Sequence, residues 1–234
     1  MITTKKTARV AGVLYLFFVF AGLFSLMYVP GKLIVRANAA ETANNLLAHQ
    51  ILVATDLAVG LISGVLFLLV ALTLYQLLKD VNRLYATLMV ILVLIQLPQA
   101  FVSQLLQLGA LELARGADFL SAIDKPQRDT WAMFCLHLNG KSAVLSEFLW
   151  GLWLLPLGAL VFRSGFLPRF LGVWLIINGF AYVAMCFMGL FLPQHTDAVF
   201  KLAFPAMLGE LVLTLWLLVV GIRQRTLDQM GAAA

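Results

Sequence analysis

The 234-residue chain is 62% hydrophobic and only 12% charged, where a soluble domain carries about 45–50% apolar and about 25% charged residues. That composition excludes a water-soluble fold and makes lipid the solvent for most of the surface. The formal net charge of +5 is a modest excess. It fits the cytoplasmic Lys and Arg of a membrane protein, and no finger motif or basic–aromatic interleaving points to nucleic acid.

The pattern predicts an all-α fold: one polytopic domain over residues 1–234, a bundle of six transmembrane helices. The start, MITTKKTAR, is positive and an apolar run follows it. The run from Val10 to Val29 is longer than a signal-peptide core, and Ala37-Asn38-Ala39 lies too far beyond it for a cleavage site, so a retained helix is expected. Each span needs about 20 mainly apolar residues. The first is expected over 8–28, stopping before Pro30-Gly31, and the polar loop LIVRANAAETANNLLAHQ after it is long enough for a short surface helix. The second covers 51–78 and the third 84–111, joined by the tight KDVNR connection. The charged loop ELARGADFLSAIDKPQRD leads to the fourth, 130–162, which exceeds a ~30 Å hydrocarbon core and must tilt, bend or project. Pro156 and Asn139-Gly140 are its weak points. The fifth and sixth spans are expected over 170–192 and 198–222, followed by a frayed tail, RQRTLDQMGAAA.

Orientation follows from Lys and Arg in short loops. Nine (Lys5, Lys6, Arg9, Lys79, Arg83, Arg163, Arg169, Arg223, Arg225) fall on one side and six (Lys32, Arg36, Arg115, Lys125, Arg128, Lys201) on the other. The richer side is expected to be cytoplasmic, with both termini there. Cys135 and Cys186 lie in apolar stretches without metal-type spacing, and read as free thiols, with a disulfide as the alternative.

Ionisable side chains inside a span usually face the bundle and often mark function. In the second span His49, Asp56, Gly60 and Ser63 share a face, and Gly60 with Gly64 forms a small-xxx-small pair. In the third, Gln96, Gln99, Ser103 and Gln107 form a polar stripe beside Pro98, expected to face protein. In the fourth, His137, Lys141 and Glu147 share a face. Lys141 needs a partner on another helix, and Asp56 matches it in depth. Glu210 of the sixth span is the expected neighbour of Glu147, where two carboxyls could share a proton. Interhelical hydrogen bonding or a fixed structural charge pair is the plainer reading of all three groups. No hydrolase elbow, zinc-protease helix or phosphate loop is present. A metal site would have to be assembled across helices from His49, Asp56, His137 and Glu147.

The segments EFLWGLWLLPLGALVFRSGFLPRFLG and TARVAGVLYLFFVFAGLFSLMYVP resemble a bacterial family of multi-pass membrane proteins, domain of unknown function 4386. The resemblance covers nearly the whole chain. It implies a bacterial inner-membrane protein and no particular activity. Arg163 and Arg169, bracketing the SGFLP turn, read as positive-inside anchors or lipid-phosphate contacts. Three functions stay open. The leading one is a non-enzymatic protein that binds or passes a small polar molecule, ion or proton. Its pocket would lie in the outer half, lined by Asp56, His137, Lys141, Glu147 and the glutamine stripe, without a cofactor. The others are a membrane enzyme acting on a lipid or isoprenoid, with or without a metal, and a structural subunit.

Overall fold

The computed structural model describes residues 5–222, and every regular element among them is helical. In chain order these are α1 (Lys5–Leu23), a π-helical turn (Phe24–Tyr28), α2 (Val29–Leu33), α3 (Ala39–Ala48), α4 (Gln50–Leu78), α5 (Arg83–Arg115), α6 (Lys125–Arg163), α7 (Arg169–Phe191) and α8 (Thr196–Val219). Short 3-10 turns precede α6 and α8. Six helical stretches are long and apolar enough to cross a membrane: Lys5–Leu33, Gln50–Leu78, Arg83–Arg115, Lys125–Arg163, Arg169–Phe191 and Pro193–Val219. The expected C-terminal tail, with Arg223 and Arg225, lies outside the described residues.

The helix ends follow local chemistry, and two expected boundaries move for identifiable reasons. Pro30-Gly31 does not stop the first span. The π-turn comes just before, and Pro30 falls in the first turn of α2, where a missing N–H costs nothing. α3 occupies the polar loop under a reciprocal cap: Glu41 N donates to Asn38 Oδ1 (3.0 Å) and Asn38 Nδ2 donates to Glu41 Oε2 (2.8 Å). α6 starts at Lys125 rather than near 130, because Asp124 Oδ1 accepts from Gln127 N (2.9 Å) and Pro126 suits a first turn. Pro98, Pro156 and Pro205 all lie inside continuous helices. Tight turns use left-handed glycines, Gly116 after α5 and Gly165 after α6.

The chain packs as two compact units. The first is built from residues 5–19, 66–96 and 144–222, the second from 20–65 and 97–143. Lipid gives no hydrophobic drive for helices to associate, so close packing and hydrogen bonds must do it. In the first unit glycines do much of this. Gly151 and Gly158 on α6 face Gly172 and Gly179 on α7, one Gly-x6-Gly pair against another. A Cβ on Gly158 would lie 2.8 Å from Gly172 O, and one on Gly172 2.7 Å from Gly158 O. Gly12 of α1 meets the α8 backbone in the same way, 2.7 Å from Leu218 N. An aromatic core fills the space beside these seams: Tyr15 and Trp153 are buried, Phe67 meets Trp153 edge-on and stacks on Phe18. The second unit has a smaller apolar core around Val29, Leu33, Leu46, Val53 and Leu111.

Candidate polar sites within the membrane spans

In the second unit, α4 is apolar around Asp56, so the carboxyl must find partners on other segments. Asp56 is 6% exposed. Ser25 Oγ donates to its Oδ1 (2.5 Å), and Gln107 Nε2 donates to its Oδ2 (2.7 Å). Ser25 lies within the π-turn, which changes the rotation of the first span at that point; such turns concentrate at functional sites. Gln107 belongs to the α5 stripe. Gln96 and Gln107 are buried while Leu94, Ile95, Phe101, Val102 and Leu105 are exposed, so the stripe faces protein. Further along it Gln99 Nε2 donates to Ser142 O (2.7 Å), Asn139 Nδ2 donates to Ser103 O (2.7 Å), and the Ser103 and Ser142 hydroxyls bond each other. Gln104 completes the ladder. Its amide nitrogen donates to Leu57 O (2.9 Å) and its oxygen accepts from Leu61 N (3.1 Å). The carboxamide lies over Gly60, where a Cβ would come within 2.5 Å of it, so the small residue there admits a side chain rather than a neighbouring backbone.

The first unit holds a different cluster. Glu210 of α8 accepts from the Tyr15 hydroxyl of α1 and, at 3.4 Å, from Asn178 Nδ2 of α7. Tyr15 and Asn178 are fully buried. Asn178 Nδ2 also reaches Met207 O (3.5 Å), while its Oδ1 is buried with no donor. Glu147 is not among the hydrogen-bond partners of Glu210; both carboxyls lie within electrostatic reach of Tyr182.

The expected Lys141–Asp56 pair does not form. Both Asp56 oxygens are bonded to neutral side chains, and the ion pairs among the described residues are Arg115–Glu112 and Lys125–Asp129, both at helix ends. Lys141 and His137 lie on an exposed face of α6 with Phe134 and Leu145. Ser142, one residue on and about 100° around the helix, faces α5 instead. Glu147 belongs to the first unit and Asp56 to the second. His49 is exposed at the α3–α4 junction, its Nδ1 beside Asn45 O (3.1 Å). Among the described residues no three His, Cys, Asp or Glu side chains converge as a metal site would need, and both cysteines are free thiols. Sequence reasoning missed Ser25, Gln104, Asn139, Ser142, Tyr15, Tyr182 and Asn178. Their common signal was polarity inside an apolar run without charge.

Six long apolar helices carrying two caged carboxyls define a multi-pass integral membrane protein. Residues 10–221 match the DUF4386 family, described as a domain of unknown function, and the chain belongs to that family. No curated protein and no solved structure matches it.

Proposed function

We propose that the second unit binds a small cation at Asp56, within a multi-pass protein of the bacterial inner membrane whose termini are cytoplasmic. The observation that carries this reading is a nearly buried carboxyl held by two neutral donors and by no cation. Hydrogen bonds to a charged group are worth about 1.5–3 kcal/mol each, against an effective several kcal/mol for taking one unpaired ion out of water. Ser25 and Gln107 together offset a cost of the same order, and a cation on the remaining lone pairs would add the countercharge that they lack. A carboxylate offers about four lone-pair sites, so two remain for a ligand. Asp56 lies six residues into α4, about 9 Å from its start at 1.5 Å per residue, which is shallow enough for delivery from the aqueous side. Lys141 is exposed and no Lys, Arg or His among the described residues makes an ion pair with Asp56, which favours a cation over the anion that a Lys141-lined pocket would take.

Thermal unfolding of the detergent-solubilised protein with sodium, potassium, ammonium, methylammonium and guanidinium tests this. A ligand at 100 times its Kd stabilises by about 2.7 kcal/mol. At least one cation is expected to raise the midpoint of the wild type and not of Asp56→Asn. Equal shifts in the two proteins, or none in either, would overturn the reading.

A further inference from the structure

The second acidic cluster lies in the other unit and is independent of the cation reading. Glu210 is surrounded by groups that can serve both of its protonation states. When it is ionised, the Tyr15 hydroxyl and Asn178 Nδ2 both donate to it, so the carboxylate has two partners. When it carries a proton, the new O–H needs an acceptor. A phenol oxygen accepts as well as donates, and turning one hydroxyl is enough. Asn178 adds a second acceptor: its Oδ1 is fully buried and has no donor. A buried carbonyl oxygen left without a donor is destabilising unless something fills it. Rotation of this amide about its terminal bond would present that oxygen to a protonated carboxyl.

The groups around the carboxyl are consistent with a proton as the occupant. Tyr15 comes from α1, and Tyr182 and Asn178 from α7. No Lys, Arg or His makes an ion pair with Glu210 among the described residues. Thr214 Oγ1 donates to the Glu210 backbone carbonyl (2.8 Å) and fixes the helix rather than the carboxyl. A single-site metal would need several oxygens free to coordinate, whereas the Tyr15 phenol here is spent on the carboxyl.

We infer that Glu210 is a proton-exchange site within the membrane spans, with the Tyr15 hydroxyl as its first relay. Binding adds one proton to one carboxylate oxygen. Release returns it through a phenol that donates outward as it accepts from the carboxyl.

Infrared difference spectra of the full-length protein in lipid nanodiscs, recorded on stepping the pH downward, test this. The wild type is expected to show a protonated-carboxyl C=O band that is absent from Glu210→Gln. In Tyr15→Phe the band should persist at a changed frequency and a changed titration midpoint. A band retained in Glu210→Gln assigns the proton to another carboxyl and overturns the inference. If Glu210→Gln fails to fold, the Tyr15→Phe variant decides alone: an unmoved band and midpoint would equally overturn it. Asp56→Asn serves as an internal comparison, because its band change must be separate from that of Glu210.

Discussion

The two units bring their helices together by opposite means. In the first, side chains are removed: Gly151, Gly158, Gly172 and Gly179 let α6 and α7 meet backbone to backbone, and Gly12 does the same between α1 and α8. In the second, side chains are added. Gln99, Ser103, Gln104, Gln107, Asn139 and Ser142 tie α4, α5 and α6 through hydrogen bonds, while a Cβ added at Gly22, Gly31, Gly109 or Gly140 would meet nothing within 4 Å. Where lipid is as apolar as leucine, both devices work, but they respond differently to change. A backbone contact cannot yield, whereas a carboxamide can turn away at the cost of one bond.

The largest expected effect is therefore at the glycine seam. In Gly158→Val a Cβ would meet Gly172 O at 2.8 Å and Ile176 N at 3.1 Å, and further methyls would follow. Overpacking commonly costs about 1–3 kcal/mol, more where backbone must move, so a loss of about 3 kcal/mol or more is expected. Gly140→Ala meets nothing within 4 Å and should be neutral or gain up to about 1 kcal/mol from helix propensity. Reversible unfolding of both variants in bicelles, followed by tryptophan fluorescence, checks the contrast. Similar midpoints for the two would dissolve the distinction between the units.

An intermediate effect is expected in the second unit. Gln107→Leu deprives Asp56 Oδ2 of its donor, for about 1–3 kcal/mol. In Asp56→Leu the loss falls on Gln107 and Ser25. The double variant should recover part of the sum, with a coupling of about 1 kcal/mol, since each single change strands a partner. Strict additivity in the same unfolding assay would show that the bond carries no weight.

The helical architecture was legible because lipid imposes it: length and hydropathy place six spans to within a few residues. The glutamine stripe was legible too, since polar side chains at i, i+3, i+7 and i+11 (Gln96, Gln99, Ser103, Gln107) cannot face hydrocarbon cheaply. Partner choice was not. Depth can be counted at 1.5 Å per residue, but which helix stands opposite, and at what rotation, is set by packing between segments distant in sequence. Lys141 and Asp56 matched in depth and failed on rotation. The Glu210 cage was half visible, because attention to charge found the carboxyl and passed over Tyr15, Tyr182 and Asn178. The Gly-x6-Gly pairs at 151/158 and 172/179 could have been read from spacing, since seven residues return to nearly the same helix face.

The smallest expected effect is at Lys141, and it tests the boundary of the polar ladder. The side chain lies on the exposed face of α6 and makes no ion pair among the described residues. Its long stem can lie along apolar surface while the ammonium reaches for a more polar level. Lys141→Met should therefore change stability by no more than about 0.5 kcal/mol, as exposed substitutions do. Combined with Asp56→Asn it should be additive, because the Asp56 oxygens are engaged by Ser25 and Gln107. Lys141→Glu, which keeps an ionisable group on the same exposed face, should also leave the unfolding midpoint nearly unmoved. A coupling above about 1 kcal/mol between Lys141 and Asp56 would instead place the ammonium against the carboxylate. It would give Asp56 its missing countercharge and remove the reason for a cation to bind there.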